Sequence, residues 1–166
     1  MIKIRITLES KEDVIREILV NPENNLEYLH QSIIKNLKLD EFEMASFYIT
    51  DSNLDLGEEI PLFDTSEKDG DVITMKNMPI SSVLYSKDSK LIYIYDFMNM
   101  WRFFVEYLES SEEITEKCTR KLGEIPEEAP EKEFVAENLG DDFDDEFEDE
   151  FKSEFESLDD IDLDNY

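Results

Sequence analysis

Cysteine is nearly absent from this chain. Only Cys118 carries a thiol, so no internal disulfide can form and no cysteine-cluster metal site exists. Histidine is as scarce: His30 stands alone. Together the two fall short of the three or four ligands that a zinc site takes, which excludes zinc. Four glycines occur in the whole sequence, none in a phosphate-cradling loop, and no Gly-x-Ser-x-Gly elbow is present. No apolar run is long enough to span a bilayer. A signal peptide needs a continuous apolar stretch, whereas Met1-Ile2-Lys3-Ile4-Arg5-Ile6 alternates, so the expected location is cytoplasmic.

Positive charge is also sparse. Sixteen Lys and Arg face 44 Asp and Glu across 166 residues, a net charge of −28. Residues 124–166 hold 20 of these acids against Lys132 and Lys152, a net of −18, which leaves −10 for residues 1–123. Such a field repels phosphate backbones and anionic membrane surfaces, so neither direct nucleic-acid binding nor membrane binding is expected. A basic protein partner is the natural counterpart.

What is present is a patterned body. Ile2, Ile4, Ile6 and Leu8 recur at every second residue, which predicts a half-buried strand, and Val14–Val20 predicts a second that pairs with it as a hairpin. After Pro22, Asn24 and Glu27 read as a capping pair. Leu26, Leu29, His30, Ile33, Ile34 and Leu37 then form one apolar helical face. Ser46–Thr50 and Glu59–Phe63 read as strands, and Ile80–Leu84 as a helical turn. Leu91–Phe97 and Arg102–Glu109 read as a hairpin of buried strands. Beyond Lys117 the pattern decays, and Pro126 and Pro130 mark a linker. The expected fold is α+β: an antiparallel sheet with one main helix and a β-grasp-like opening over residues 1–123, followed by an acidic, largely disordered tail over 124–166.

The tail has its own regularity. Phe143, Phe147, Phe151 and Phe155 lie four residues apart, and Leu158 continues the row. On a helix they make one apolar stripe, but like charges at helical spacing repel, with only Lys152 to offset them. Three outcomes follow: the segment stays open, it docks on the body, or it folds into a partner's apolar groove rimmed by basic residues. These five residues are the candidate partner-binding site.

Candidate chemistry is thin. His30 sits on the apolar helical face, which favours a packed residue over a general base. Asp51-Ser52-Asn53-Leu54-Asp55-Leu56 opens like a calcium loop, yet Leu56 and Leu62 occupy the places of the required Gly and Glu, so a polar turn is expected. Cys118, flanked by Lys117, Arg120 and Lys121, lacks a resolving partner and reads as a plain thiol. Trp101 reads as a core or hairpin anchor. No catalytic residue, metal site or cofactor is expected.

Leu26-x-x-Leu29-His30-x-x-Ile33, Phe47, Tyr95-Asp96-Phe97-x-x-x-Trp101, and Cys118 with Gly123 and Pro126 together resemble the plasmid pRiA4b ORF-3-like family over about residues 1–128. The branch most similar is a Bacteroidetes type with an acidic, Phe-studded tail. The resemblance implies no established activity. A transposon resolvase-like label attached to some members finds no support in a chain with four arginines. Many relatives carry His-x-His where Glu43 and Ala45 stand here, and Gly, Asp and His where Met98, Asn99 and Phe103 stand. The expected function is non-enzymatic: a binding or adaptor protein that engages a basic partner through the Phe stripe. The alternative is a DNA-mimicking regulator, linked to a mobile element, that occupies the basic groove of a nucleic-acid-binding protein.

Overall fold

In the computed structural model of the protein, the described residues are 1–51, 53–68 and 70–131. Phe143, Phe147, Phe151, Phe155 and Leu158, and with them the expected disorder of the tail, lie outside the described residues. The body is an α+β unit with seven strands: β1 (Ile2–Leu8), β2 (Ile15–Val20), β3 (Ala45–Thr50), β4 (Leu56–Pro61), β5 (Lys90–Tyr95), β6 (Trp101–Ser110) and β7 (Lys117–Leu122). They form one sheet in the order β4-β3-β5-β6-β1-β2-β7, every neighbouring pair antiparallel. One main helix, α1 (Leu26–Leu37), follows the β1–β2 hairpin, and a short α2 (Ile80–Val83) precedes β5.

The period-two pattern places the core. Ile2, Ile4, Ile6 and Leu8 are buried on one face of β1, while Lys3, Arg5 and Thr7 on the other are half-buried. In register with them stand Val105 and Phe103 of β6, then Tyr93 of β5 and Phe47 of β3. The six apolar-face residues of α1 are all buried with this set. Burying a Leu or Ile side chain of this kind contributes about 1.5–3 kcal/mol, which holds the helix more firmly than propensity would.

The helix starts one residue later than its sequence suggests. Asn25 is the N-cap: its side chain accepts from the Tyr28 N–H at 2.9 Å. The Leu26 N–H donates to the Met78 carbonyl and an isolated bridge joins Asn25 to Pro79. That tertiary tie fixes the entry of the chain, and Asn24 donates its amide to Glu116 instead.

The far face is covered in part. Ile92 and Ile94 point away from α1 yet are buried. The turn between β3 and β4 reaches back toward them, with the Leu54 carbonyl accepting from Arg102 Nη2 at 3.4 Å and the Arg102 guanidinium lying 5.6 Å from the Phe104 ring centre. Toward β7 the same face carries an ion-pair row, Arg5 to Glu17 at 2.9 Å and Arg120 to Glu17 at 3.5 Å.

Strand β7 is a finding the sequence pattern does not announce. All six of its residues are exposed. It forms because β2 offers an open ladder, and because its end is pinned. Arg16, fully buried, donates through Nη1 to the carbonyls of Ile15, Leu122 and Gly123 at 2.8, 2.9 and 3.0 Å. Through Nε it donates to the Asn36 carbonyl at 3.2 Å. Asn36 lies in the last turn of α1, so a cation stands at the negative end of the helix dipole. Past Gly123 the chain stays on the body, with Ile125 and Ala129 packed against the core.

Candidate functional site

His30 is held as a structural residue. Its Nδ1 lies 2.8 Å from the Tyr93 hydroxyl, within an aromatic group that includes Phe47, Tyr95 and Phe103 around Tyr93. Desolvation lowers its pKa from 6.5 to about 4, so the ring is neutral at pH 7. The unfolded chain takes up this proton first. Stability present above pH 6.5 is therefore lost as the pH falls toward 4, by on the order of 2–3 kcal/mol. Urea denaturation at stepped pH measures it, and His30→Gln removes that part of the slope. A slope between pH 6.5 and 4 identical in the variant would refute the assignment.

The other sequence candidates resolve into local roles. Asp51 accepts from the N–H groups of Asn53 and Asp55 at 2.8 and 3.2 Å, a carboxylate that closes its own polar turn. Cys118 is exposed on β7, its thiol donating to the Arg120 carbonyl at 3.2 Å. The neighbouring cations are engaged elsewhere: Lys117 with Glu113 at 2.5 Å, Arg120 with Glu17, and Lys121 with Glu124 at 2.7 Å. Trp101 is buried at the head of β6 and anchors the β5–β6 hairpin. Among the described residues, no group of three or more His, Cys, Asp or Glu side chains could hold a metal ion.

One end of the sheet gathers features that periodicity does not reveal. β1 ends there, β5 ends and β6 begins, β3 begins and β4 ends, so the α1–β3 loop meets the β5–β6 turn. Tyr95 donates its hydroxyl to the Asp40 carbonyl at 2.9 Å, and the Asp96 N–H donates to the Met44 carbonyl at 2.8 Å. The apolar run read as a strand to Phe97 stops at Tyr95. Asp96 turns left-handed at φ 55° and leaves Phe97 exposed.

The Asp96 carboxylate organises this turn. It accepts from the Asn99 amide at 2.6 Å and from the N–H groups of Met98 and Asn99 at 3.1 and 3.3 Å. These bonds, the Asn99 amide foremost, hold its carboxyl below the usual carboxylate range. Met100 closes the turn, its N–H donating to the Asp96 carbonyl at 2.6 Å, at φ 56°, a conformation that glycine adopts freely and methionine rarely does. The outcome is a hydrogen-bonded turn that leaves Phe97, Met98 and Met100 exposed.

Several positions where the resemblance noted above implies other residues also fall at this end. Ala45 and Phe103 are fully buried apolar core residues, Glu43 is half-buried in the α1–β3 loop, and Met98 is 91% exposed. At Ala45 and Phe103 core packing thus occupies the place where a polar side chain would need a partner.

The fold itself has a solved counterpart. A crystal structure of a protein of unknown function from Methanosarcina mazei Go1 aligns with a TM-score of 0.58 at 17% identity, covering 72% of this chain and 68% of that one. At that identity the likeness is one of fold alone. No curated protein matches the sequence. A family model described as plasmid pRiA4b ORF-3-like protein matches residues 1–129, which contain every strand and helix described above. The chain belongs to the plasmid pRiA4b ORF-3-like protein family.

Proposed function

We propose that this protein is a cytoplasmic binding or adaptor protein that engages a basic protein partner through Phe143, Phe147, Phe151, Phe155 and Leu158. The observation that carries this reading is the charge segregation: residues 124–166 hold a net of −18 with Phe at every fourth position from 143 to 155. Acids alone attract any cation, whereas regularly spaced aromatic side chains supply the apolar anchors that give an interface its affinity. His30, neutral and packed against Tyr93, supports a structural body in place of a reaction centre.

The rival reading is a polyanion that imitates DNA in a basic groove, and a tail series separates the two. In a pull-down with the full chain, Phe147→Ala with Phe151→Ala weakens partner capture at least about tenfold. Replacing Asp141, Asp142, Asp144 and Asp145 with Asn has the smaller effect. Undiminished capture by the Phe variant, with loss in the Asn variant, would favour charge mimicry and end the groove reading.

A further inference from the structure

We propose a second docking surface, on the body: the sheet end formed by the α1–β3 loop and the β5–β6 turn receives a basic amphipathic segment of a partner protein. Single exposed apolar residues are ordinary on any surface. Here they are concentrated. Of eleven large hydrophobic side chains exposed among the described residues, Phe42, Phe63, Phe97, Met98 and Met100 lie at this one end.

Their neighbourhood follows from the ladder. Phe42 sits two residues before Met44, whose carbonyl accepts from Asp96, the residue that carries Phe97 and Met98 on its turn. Phe63 follows Leu62, whose N–H donates to the Ala45 carbonyl beside the same loop. Phe42 and Met98 are 87% and 91% exposed, so neither is held by packing within the body. Phenylalanine and methionine together make an adaptable apolar surface of the kind that accepts amphipathic helices.

The rim states the sign of the partner. Asp40 and Glu41 are exposed and Glu43 half-buried in the α1–β3 loop, with the ionised Asp96 beneath the turn and Lys38 at the loop's start. A second copy of this face would bring these carboxylates against each other, and an anionic surface would meet the same repulsion. A cationic segment meets complementary charge around an apolar centre. Met100 adds an independent argument: a side chain kept at positive φ, where glycine is unstrained, is a local sacrifice of stability that projects methionine into the patch.

The test titrates the isotope-labelled full chain with a synthetic amphipathic peptide of Leu and Lys, and with its Leu and Glu counterpart, followed by amide chemical shifts. The Leu/Lys peptide should move the amides of residues 40–44 and 96–100. Its affinity should fall about tenfold or more in a Phe42→Ser, Met98→Ser double variant, whose sites are too exposed to disturb folding. Met100→Gly should weaken the peptide while leaving Tm at or above that of the parent. Phe147→Ala with Phe151→Ala should leave the turn shifts unchanged, so this surface and the tail reading can fail separately. Four results would overturn the proposal: shifts confined to tail amides, equal binding of the Leu/Glu peptide, unchanged affinity in the Phe42 and Met98 variant, or turn shifts that appear on concentrating the protein alone.

Discussion

Replacing Arg16 with Met is expected to cost about 3–5 kcal/mol of folding stability. Met matches the stem of Arg and fills its apolar path, so the loss is not one of volume. It arises because Arg16 satisfies carbonyls from four places, namely Ile15, Asn36, Leu122 and Gly123. A thioether donates to none of them, and each of these part-buried carbonyls left unpaired carries a penalty of about 1–3 kcal/mol unless water reaches it. Arg16→Lys should recover only part, since one ammonium cannot spread its donors across β2, α1 and β7 as the planar guanidinium does. Guanidinium denaturation at pH 7 measures both. A Met variant within about 1 kcal/mol of the parent would mean that these carbonyls find other partners.

The second large effect concerns Gly123. Its φ is +67°, and a Cβ placed there would lie 2.1 Å from the Asp13 carbonyl oxygen. The obstacle is backbone, so no side-chain rotation relieves it. Gly123→Ala should therefore cost about 2–5 kcal/mol, combining left-handed strain with a forced shift of the β1–β2 turn. The damage should be local before it is global. Amide exchange should rise first across β7, from Lys117 to Leu122, and at its partners in β2. Protection that falls evenly across the sheet would show that β7 and the core open as one unit.

Much of this architecture could be read from residue order. The alternation of Ile2, Ile4, Ile6 and Leu8 and the helical spacing from Leu26 to Leu37 both describe a one-sided apolar surface, and each is buried as that surface requires. The continuous apolar run from Leu91 to Tyr95 likewise reflects a strand buried on both sides. What escaped reading is what depends on distant partners. β7 has no alternation because none of its side chains is buried; its strand state comes from the β2 ladder and from Arg16. Arg16 itself sits at a core-facing position of β2, where a periodicity count registers an interruption and not a hub. Asn25 rather than Asn24 caps α1 because Met78 and Pro79 set the entry point from some fifty residues away, consistent with the Asn25 amide bond to Lys76. The join between Leu91–Phe97 and Arg102–Glu109 was legible as residues 98–101, but the turn begins two residues earlier, at Asp96, inside an apolar, aromatic-rich stretch where only the carboxylate hinted that the strand had ended.

The strand order carries a consequence for biosynthesis. β1 is flanked by β2 on one side and by β6 on the other, and Arg16 closes onto carbonyls 106 and 107 positions later in the chain. Loop closure on that scale is slow compared with forming the opening hairpin. Until Gly123 has emerged, the nascent chain holds a cation with two of its four carbonyl acceptors not yet made and a hairpin whose β7 neighbour is incomplete. Residues 124–166 are translated after β7, so a strongly anionic segment follows directly behind the stretch that completes the sheet.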